Sequence, residues 1–410
     1  MAGDLARGRL KVGWARSHMP VLEGIRSRFE REQPFKGLTI SAVLHVEAKT
    51  AVLALALQAG GAKVHLAAGN PLSTDDDAVA ALNDAGVRTL AKKGESTEEY
   101  RSAVRAMLDA DPDVIIDDGA DLVALAHTDR PGRGKIRGST EETTTGVTRL
   151  RALAHSGKMR FPAIDVNDAE MKHLFDNRYG CGQSVLDGLF GATNLLIAGR
   201  VAVVAGYGWS GKGIASRLRG IGADVIVTEV DPVRAIEARL EGFRVMPMLD
   251  AAAQADLIVT VTGNRDIVRA EHFKVLKDGC LLANAGHFDI EISKADLEGL
   301  AVHRAIVRPS VEEFRFADGR RTYLLAEGRL INLATGQGHP VEIMDLSFAL
   351  QALSAEYIAA HGLSLEPKVY PVPPALDRSV AEAALHPLGA AVDVPTEVQR
   401  RYAASWEEGT

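Results

Sequence analysis

Short apolar runs alternate with longer segments of helical periodicity in the first 180 residues. Residues 38–44, 63–68 and 113–119 are rich in Val, Ile, Leu and Ala, which predicts strands that are buried on both faces. Residues 47–61 and 97–109 have the spacing of helices, and the first of these segments ends in two glycines. This alternation predicts a parallel α/β unit.

A second unit of the same class begins near residue 184. Its buried strands are predicted at the apolar runs 201–208, 225–231, 257–263 and 280–286. Beyond about residue 337 the pattern becomes helical over 341–362. A chain of 410 residues exceeds the roughly 250 that one hydrophobic core serves, so at least two domains are expected.

Two local signals predict how these units begin and end. Ser73 and Thr74 precede three acidic residues, which is typical of an N-cap followed by a negatively charged first turn. Residues 366–375 contain four prolines and are predicted to form a linker. The remaining residues, 376–410, are expected to be a short helical or loop tail.

The composition excludes several classes of protein. With 46% hydrophobic and 25% charged residues, the chain is typical of a globular enzyme. A net charge of -7 without a run of either sign argues against a nucleic-acid or membrane partner. Only Cys181 and Cys280 are present, which excludes a disulfide framework and favours a reducing cytoplasm. Neither secretion nor membrane insertion is expected, because the chain has no apolar leader and no long apolar run.

Three glycines stand where a strand passes into a helix. Gly206, Gly208 and Gly211 form the pattern G-x-G-x-x-G. In this context the glycines allow a tight turn, close approach of a pyrophosphate and packing of the helix on the strand, which indicates a dinucleotide site. Glu229 closes the next strand and can accept from both ribose hydroxyls, which favours NAD over NADP, although Arg234 weakens that preference.

The same glycine segment also approaches the phosphate loop of nucleoside triphosphatases. Residues 206–213 (GYGWSGKG) come close to G-x-x-x-x-G-K-[ST], but Gly213 stands where the magnesium-binding hydroxyl is required. We therefore favour dinucleotide binding over a triphosphatase or a purely structural glycine turn.

Four further segments are hard to explain by packing alone. They are 141–147 (EETTTGV), 165–181 (DVNDAEMKHLFDNRYGC), 285–292 (AGHFDIEI) and 338–345 (GHPVEIMD). Together with the glycine loop, these segments resemble the S-adenosyl-L-homocysteine hydrolase family, and the resemblance extends from about Ala15 almost to the C-terminus.

The resemblance implies a fold and a reaction. The fold would have two doubly wound parallel-sheet domains. A discontinuous substrate-binding domain would comprise 1–181 and 338–372, a Rossmann-type NAD-binding domain 182–337, and a C-terminal tail 373–410. The substrate would be a small S-nucleosyl-L-homocysteine thioether, oxidised at the ribose C3′ by bound NAD. Homocysteine then leaves C5′, water adds, and C3′ is reduced again.

The resemblance also assigns roles to individual residues. The catalytic set is His45, Asp118, Glu142, Asn167, Lys172, Asp176, Cys181 and His287. Substrate binding would use Glu47, Lys49, Thr50 and His339 together with Asp118, Glu142, Lys172, Asp176 and His287. Cofactor binding would use Thr143, Thr144, Thr145, Asn177, Gly206, Gly208, Gly211, Glu229, Asn264, His287 and Asn332.

Within the catalytic set, the resemblance separates two tasks. Lys172 and Asp176 would hold and deprotonate the 3′-hydroxyl, which requires a lowered pKa of Lys172. His45, Asp118 and Glu142 would be the acid, base and positioning groups around C4′ and C5′.

Each of these residues also has a plainer explanation. A single histidine is usually an ordinary surface or core residue, a threonine run is usually a strand, and Asp-Asp-Gly is usually a turn. Only their joint occurrence favours the functional interpretation. Metal binding by the histidines is not expected, because no two of them stand at ligand spacing with a third partner.

The base-recognition helix departs from the common family pattern. Many members read H-x-T-x-E or H-x-T-x-Q, whereas this chain has Glu47 and Lys49 after His45. Lys49 has only donors and suits O6 of hypoxanthine, while Glu47 can accept from N1–H. The variant resembles that of S-inosyl-L-homocysteine hydrolases, and we lean slightly to that substrate. A surface pair of Glu47 and Lys49 that never touches the base stays an alternative.

The C-terminus is the second departure. The chain lacks the Lys and Tyr extension by which longer members reach the NAD site of a neighbouring subunit. A homotetramer is still implied, but a tail contact between subunits is left open. Two other functions also stay open: a nucleoside 3′-oxidoreductase of specialised metabolism and a catalytically silent NAD-sensing protein. Retention of Lys172, Asp176 and His287 argues against the silent protein.

Overall fold

The computed structural model describes residues 3–129 and 136–407. The strands are β1 (Thr39–Leu44), β2 (Lys63–Ala68), β3 (Arg88–Leu90), β4 (Val114–Asp117), β5 (Gly138–Glu141), β6 (Ala163–Asp165), β7 (Val201–Ala205), β8 (Asp224–Thr228), β9 (Arg244–Val245), β10 (Leu257–Thr260), β11 (Cys280–Asn284), β12 (Ala301–Arg308), β13 (Val311–Phe316), β14 (Arg321–Leu325) and β15 (Val369–Pro371).

The helices connect these strands. They are α1 (Leu5–Ser17), α2 (Pro20–Glu32), α3 (Ala48–Ala59), α4 (Asp76–Asp84), α5 (Thr97–Asp109), α6 (Asp121–Asp129), α7 (Thr144–His155), α8 (Glu170–Lys172), α9 (Cys181–Thr193), α10 (Trp209–Gly220), α11 (Pro232–Leu240), α12 (Met248–Ala252), α13 (Ala270–Phe273), α14 (Lys294–Leu300), α15 (Ile331–Ala334), α16 (Val341–His361), α17 (Pro374–Leu385) and α18 (Glu397–Ala404). A π-helical segment, His173–Gly180, joins α8 to α9, and short 3₁₀ turns form at Ala326–Gly328 and Gly362–Ser364.

The first sheet is entirely parallel. Its strand order is β15-β6-β5-β4-β1-β2-β3. The central strands are buried because Val, Ile, Leu and Ala cover both faces, as the apolar runs predict. The order reverses direction at β4 and β1, which places a crevice at the carboxyl ends of these two strands.

The second sheet has the order β12-β13-β14-β11-β10-β7-β8-β9. The strands from β14 to β9 pair in parallel, and the glycine pattern follows the carboxyl end of β7. At the other edge, β12, β13 and β14 form an antiparallel meander. The alternation of strands and helices in the sequence did not predict this meander.

Helix α16 packs across the first sheet, against β4, β5, α2 and α3. It is buried along most of its length, and its apolar residues belong to the same core as β1 and α3. Its N-terminus directly follows the segment that returns from the second sheet. α16 therefore lies beside the carboxyl ends of the strands that carry the site.

Two local predictions are wrong. The N-cap of α4 is Asp75, whose side chain accepts from the backbone of Asp77, and not Ser73 or Thr74. The predicted linker is edge strand β15 followed by α17, because prolines are tolerated at a sheet edge and in the first turn of a helix. Although α17 falls within the predicted tail, it packs into the first core through Val380 and Ala384.

Candidate active site

Many of the predicted residues line one cavity at the carboxyl ends of the strands. His45 follows β1, Asp118 follows β4 and Glu142 follows β5, so three neighbouring strands place them side by side. The predicted residues that line this cavity are His45, Glu47, Lys49, Thr50, Asp118, Glu142, Thr143, Thr144, Asn167, Lys172, Asp176, Asn177, Cys181, His287, Asn332 and His339. The location is the one at which α/β proteins bind ligands.

Lys172 is the centre of a buried polar cluster. Its Nζ lies 3.1 Å from Asp176 Oδ1 and 3.5 Å from Glu142 Oε1, and it donates to Asn177 Oδ1 at 2.9 Å. Asn177 in turn donates to Asn167 Oδ1 at 3.1 Å. One buried cation between two buried carboxylates is suited to hold a hydroxyl group.

The predicted lowered pKa of Lys172 is wrong. Burial lowers the pKa of Lys172, but the charges of Asp176 and Glu142 outweigh burial and raise it well above the usual range. Burial raises the pKa of Glu142 to about 7, although the charge of Lys172 opposes this. Near neutral pH the lysine is therefore the fixed cation, and Glu142 is the group that can exchange a proton.

A second cluster joins two histidines through one carboxylate. His45 Nε2 lies 3.3 Å from Asp118 Oδ2, and His287 Nδ1 lies 3.6 Å from Asp118 Oδ1. His45 Nδ1 is 2.7 Å from Ser73 Oγ. Burial lowers the pKa of His45 to about 4, against the opposing charge of Asp118, so this imidazole is neutral near pH 7.

His45, Asp118 and His287 lie close enough together to form a candidate metal-binding group, which the sequence did not predict. One ligand atom each from His45, Asp118 and His287 lies within 4.8 Å of the others. The statement that the histidines lack a third partner is wrong, because separate loops of the fold supply all three groups. The cluster is compact enough for proton exchange among its members.

Cys181 lies beside a charged histidine. Its Sγ is 3.4 Å from His339 Nε2, and His339 Nδ1 is 3.4 Å from Asp176 Oδ2. Burial lowers the pKa of His339, but Asp176 and then Cys181 raise it to about 10. The imidazolium therefore links the thiol to the carboxylate of the Lys172 cluster.

Glu47 and Lys49 form an ion pair inside the cavity. Glu47 is the N-cap of α3, and its Oε2 lies 3.0 Å from Lys49 Nζ. Lys49 is only 7% exposed and also donates to the backbone oxygen of Gln337 at 2.8 Å. Thr50 donates its hydroxyl to the backbone oxygen of His45. The alternative of a surface ion pair is therefore correct about the pairing of Glu47 with Lys49. It is wrong about the location, because both side chains line the cavity.

The turn between β7 and α10 fits a dinucleotide pyrophosphate. Gly206 has φ +106°, and a Cβ on Gly211 would lie 2.0 Å from the Gly206 oxygen. Gly208 is the N-cap of α10, and among residues 3–129 and 136–407 no side chain caps the start of that helix. Glu229 accepts from the backbone of Tyr207 at 2.7 Å, which fixes its carboxylate beside the turn. These features leave an anion-binding helix start next to a carboxylate.

Asn332 offers the cavity a buried acceptor. Its Nδ2 donates to Ser184 Oγ at 3.2 Å, while its buried Oδ1 has no partner in the described part of the chain. A carboxamide N–H would satisfy this acceptor. Thr143 is the N-cap of α7, and Thr144 begins that helix, so the threonine run is not a strand.

Six predicted cofactor residues do not line the cavity: Gly206, Gly208, Gly211 and Glu229 lie at the glycine turn, and Thr145 and Asn264 lie elsewhere. Thr145 is in the first turn of α7, and its Oγ1 faces Gly263 of the second sheet's loop region. Asn264 is exposed in the bend after β10, where its Oδ1 accepts from the backbone of Arg265. Both residues lie near the edge where β10 and β7 end.

Sequence reasoning missed several residues of the site. Ser73 contacts His45, Ser347 donates to Asp176 at 2.9 Å, and Gln351 donates to Glu142 at 2.5 Å. The cavity is also lined by Ser210, Leu330, Leu333, Met344 and Phe348. The sequence did hold a signal for Ser347 and Gln351. They stand four residues apart in a largely apolar helix, which indicates that they share one face of it.

Known proteins match this chain over nearly its whole length. A family model described as S-adenosyl-L-homocysteine hydrolase matches residues 3–134. A second, described as S-adenosyl-L-homocysteine hydrolase, NAD binding domain, matches residues 177–338.

Curated relatives extend the same result. An S-inosyl-L-homocysteine hydrolase of Methanopyrus kandleri is 55% identical over 406 residues, 98% of this chain and 96% of that protein. An adenosylhomocysteinase of Pyrococcus abyssi is 56% identical over 404 residues, again 98% and 96%. An S-inosyl-L-homocysteine hydrolase of Methanothermobacter thermautotrophicus is 52% identical over 407 residues, 98% and 97%. The chain therefore belongs to the S-adenosyl-L-homocysteine hydrolase family and carries that family's NAD-binding domain.

Proposed function

We propose that the chain hydrolyses the thioether of an S-nucleosyl-L-homocysteine, reversibly, to a nucleoside and L-homocysteine. The observation that carries this proposal is the pair of clusters in one cavity, Lys172 with its carboxylates and Asp118 with its two histidines. Oxidation of the ribose at C3′ acidifies the C4′ proton, and its removal allows the thiolate to leave C5′. NAD, when bound, supplies the hydride acceptor for the ribose C3′ position.

The Lys172 cluster is assigned to the ribose hydroxyls. The ammonium and Asp176 hold the 3′-hydroxyl in place, and Glu142 accepts its proton because the pKa of Glu142 is about 7. This assignment replaces deprotonation by a neutral Lys172. The fixed cation also stabilises negative charge that develops on the 3′-oxygen.

The histidine cluster is assigned to C4′ and C5′. Ser73 donates its hydroxyl to the backbone oxygen of Asn70 at 2.9 Å, and His45 Nδ1 lies 2.7 Å from the same hydroxyl oxygen. His45 Nε2 faces Asp118 Oδ2 at 3.3 Å, so the imidazole and the carboxylate can share a proton. This pair can hold the proton taken from C4′ and pass it to the leaving sulfur, and the added water supplies hydroxide to C5′ and a proton to C4′. His287 lies on the other side of Asp118.

For the purine we propose a preference for hypoxanthine. Lys49 uses one N–H toward Glu47 and a second toward Gln337, which leaves one for an acceptor such as O6. Glu47 Oε1 has a long, 3.4 Å contact with the Thr50 hydroxyl and can accept from N1–H. A related protein of 55% identity is named an S-inosyl-L-homocysteine hydrolase.

Adenine is the second candidate, because the same weakly bonded Glu47 oxygen could accept from the N6 amino group. Lys49 would then donate to N1, so the two side chains would exchange partners. A mismatched buried donor or acceptor costs about 1 to 3 kcal/mol, which is a tenfold to hundredfold preference. A related protein of 56% identity is named an adenosylhomocysteinase.

We further propose a cytoplasmic homo-oligomer, a tetramer by family resemblance, with the domain boundaries expected from the sequence. Cys181 and Cys280 are both free, which suits a reducing compartment. Helix α11 leaves Val233, Ile236 and Leu240 more than 60% exposed, an apolar stripe that a second copy would cover. No helix in the described part of the chain is long and apolar enough to cross a membrane.

The proposed function is tested by thiol release. The NAD-loaded protein is incubated with S-inosyl- and S-adenosyl-L-homocysteine, and free homocysteine is followed with a thiol-reactive chromophore. We expect release from both, faster from the inosyl compound. No thiol from either would refute the hydrolase. Reduction of added NAD by inosine without any thiol release would support the nucleoside 3′-oxidoreductase instead.

A further inference from the structure

One face of α16 carries two polar side chains that reach the Lys172 cluster. Ser347 donates its hydroxyl to Asp176 Oδ2 at 2.9 Å, and Gln351 donates Nε2–H to Glu142 Oε2 at 2.5 Å. The two residues are four apart, so they lie one turn from each other on the same side of the helix. Each therefore bonds one of the two carboxylates that flank the lysine.

The amide of Gln351 has a defined orientation. Thr140 donates its hydroxyl to Gln351 Oε1 at 2.6 Å, which directs the amide nitrogen toward Glu142. Thr140, Ser347 and Gln351 are all fully buried. Because burial of such groups is costly unless they are bonded, these contacts hold the carboxylates in one arrangement.

A third buried polar residue on α16 shows what the same helix looks like without such a contact. Ser354 is fully buried, and its hydroxyl has no partner in the described part of the chain. A buried serine hydroxyl on α16 is thus not by itself a sign of a role. Ser347 and Gln351 are as buried as Ser354, but unlike Ser354 they donate hydrogen bonds to the carboxylates of the Lys172 cluster.

We infer that Ser347 and Gln351 are positioning residues, which hold Asp176 and Glu142 around the Lys172 ammonium for the reaction given under the proposed function. They act through the carboxylates and do not line the cavity. Helix α16 follows His339, which also bonds Asp176, so one segment of chain supports the cluster at three points.

The inference predicts a specific change in pH dependence. The groups that face Glu142 are Lys172, Asp176, Asp118 and the Gln351 amide, and the amide and the lysine both lower the pKa of Glu142. Loss of the amide donor raises that pKa further. The acid limb of kcat/KM, where Glu142 becomes protonated, should then move to higher pH.

The test compares Gln351→Met and Ser347→Ala with Ser354→Ala, in the NAD-loaded full chain. Removing one donor from a buried carboxylate should lower kcat about 10- to 100-fold in the first two variants. Gln351→Met should also move the acid limb upward by about half a pH unit or more. Ser354→Ala should match the wild type in both respects.

Two outcomes would overturn the inference: an unshifted acid limb in Gln351→Met, or a kcat in both variants within twofold of Ser354→Ala. If Gln351→Met does not fold, Thr140→Val removes the group that orients the amide and should shift the limb in the same direction. If the wild type releases no thiol, the proposed function fails. In that case, the dissociation constant of inosine is measured by calorimetry across pH, which probes the Lys172 cluster without turnover. The same pH dependence of this constant in all variants would refute the positioning role.

Discussion

Replacement of Gly211 by alanine tests the assignment of the glycine turn to the cofactor. The new Cβ would lie 2.0 Å from the Gly206 oxygen, more than 1 Å inside van der Waals contact. The obstacle is backbone and cannot rotate away, so the start of α10 must move from the end of β7. Overpacking of this kind costs about 1 to 3 kcal/mol. The gain of about 0.5 to 1 kcal/mol from replacing a helical glycine offsets part of it, and we expect a net loss of about 1 to 2 kcal/mol.

The matched control is Gly220→Ala at the other end of the same helix. A Cβ on Gly220 meets no atom within 4 Å, so this variant should be equally stable or more stable by up to about 0.5 kcal/mol. Urea unfolding gives the two stabilities, and fluorescence titration gives the NAD dissociation constants. NAD affinity should fall at least about tenfold in Gly211→Ala only, since the pyrophosphate approaches that backbone. Equal NAD affinity in the two variants would refute the assignment of the turn.

Three further predictions concern the site and the core. Lys172→Met should lower the rate of thiol release by about a thousandfold or more, because two buried carboxylates lose the lysine cation between them. The control Lys277→Met, at the surface, should leave this rate unchanged. Lys49→Met should reduce kcat/KM for the inosyl substrate about 10- to 100-fold and that for the adenosyl substrate less, in thiol-release assays with both compounds. Burial raises the pKa of Asp345 to about 6, whereas the unfolded value is about 3.9. The protonated carboxyl therefore stabilises the fold below pH 4, and this stabilisation is lost as the pH rises through 6. Asp345→Asn cannot ionise, and the unfolding free energy of this variant relative to wild type should rise by about 2 to 3 kcal/mol between pH 4 and 7 in urea titrations.

The sequence predicts the buried strands well, because the physical cause is local. The runs at β1, β4, β7 and β11 are apolar on both faces, and only a parallel sheet covered by helices buries both. The glycine turn is equally local, since Gly206 and Gly211 meet within one strand-to-helix connection. The residues that follow these strands, such as His45 and Asp118, are grouped by the family resemblance, and the parallel sheet explains why they meet.

Other features depend on segments that are far apart in the chain. The predicted pKa of Lys172 was wrong because Glu142, 30 positions earlier, adds its charge to that of Asp176. Ser347 meets Asp176 across 171 positions, and Gln351 meets Glu142 across 209. No spacing rule in one sequence indicates such contacts. The same holds for β15, whose strand character comes from its pairing with β6 and not from its own prolines.

Hydrolysis in D₂O tests the central claim most directly, because oxidation at C3′ makes the C4′ proton exchangeable whereas direct displacement at C5′ does not. S-Inosyl-L-homocysteine is incubated with the NAD-loaded protein, and the released inosine is examined by mass spectrometry and proton NMR. We predict free homocysteine together with inosine that carries deuterium at C4′. Thiol release with the C4′ proton fully retained would contradict the oxidative route that the Lys172 and Asp118 clusters are proposed to serve.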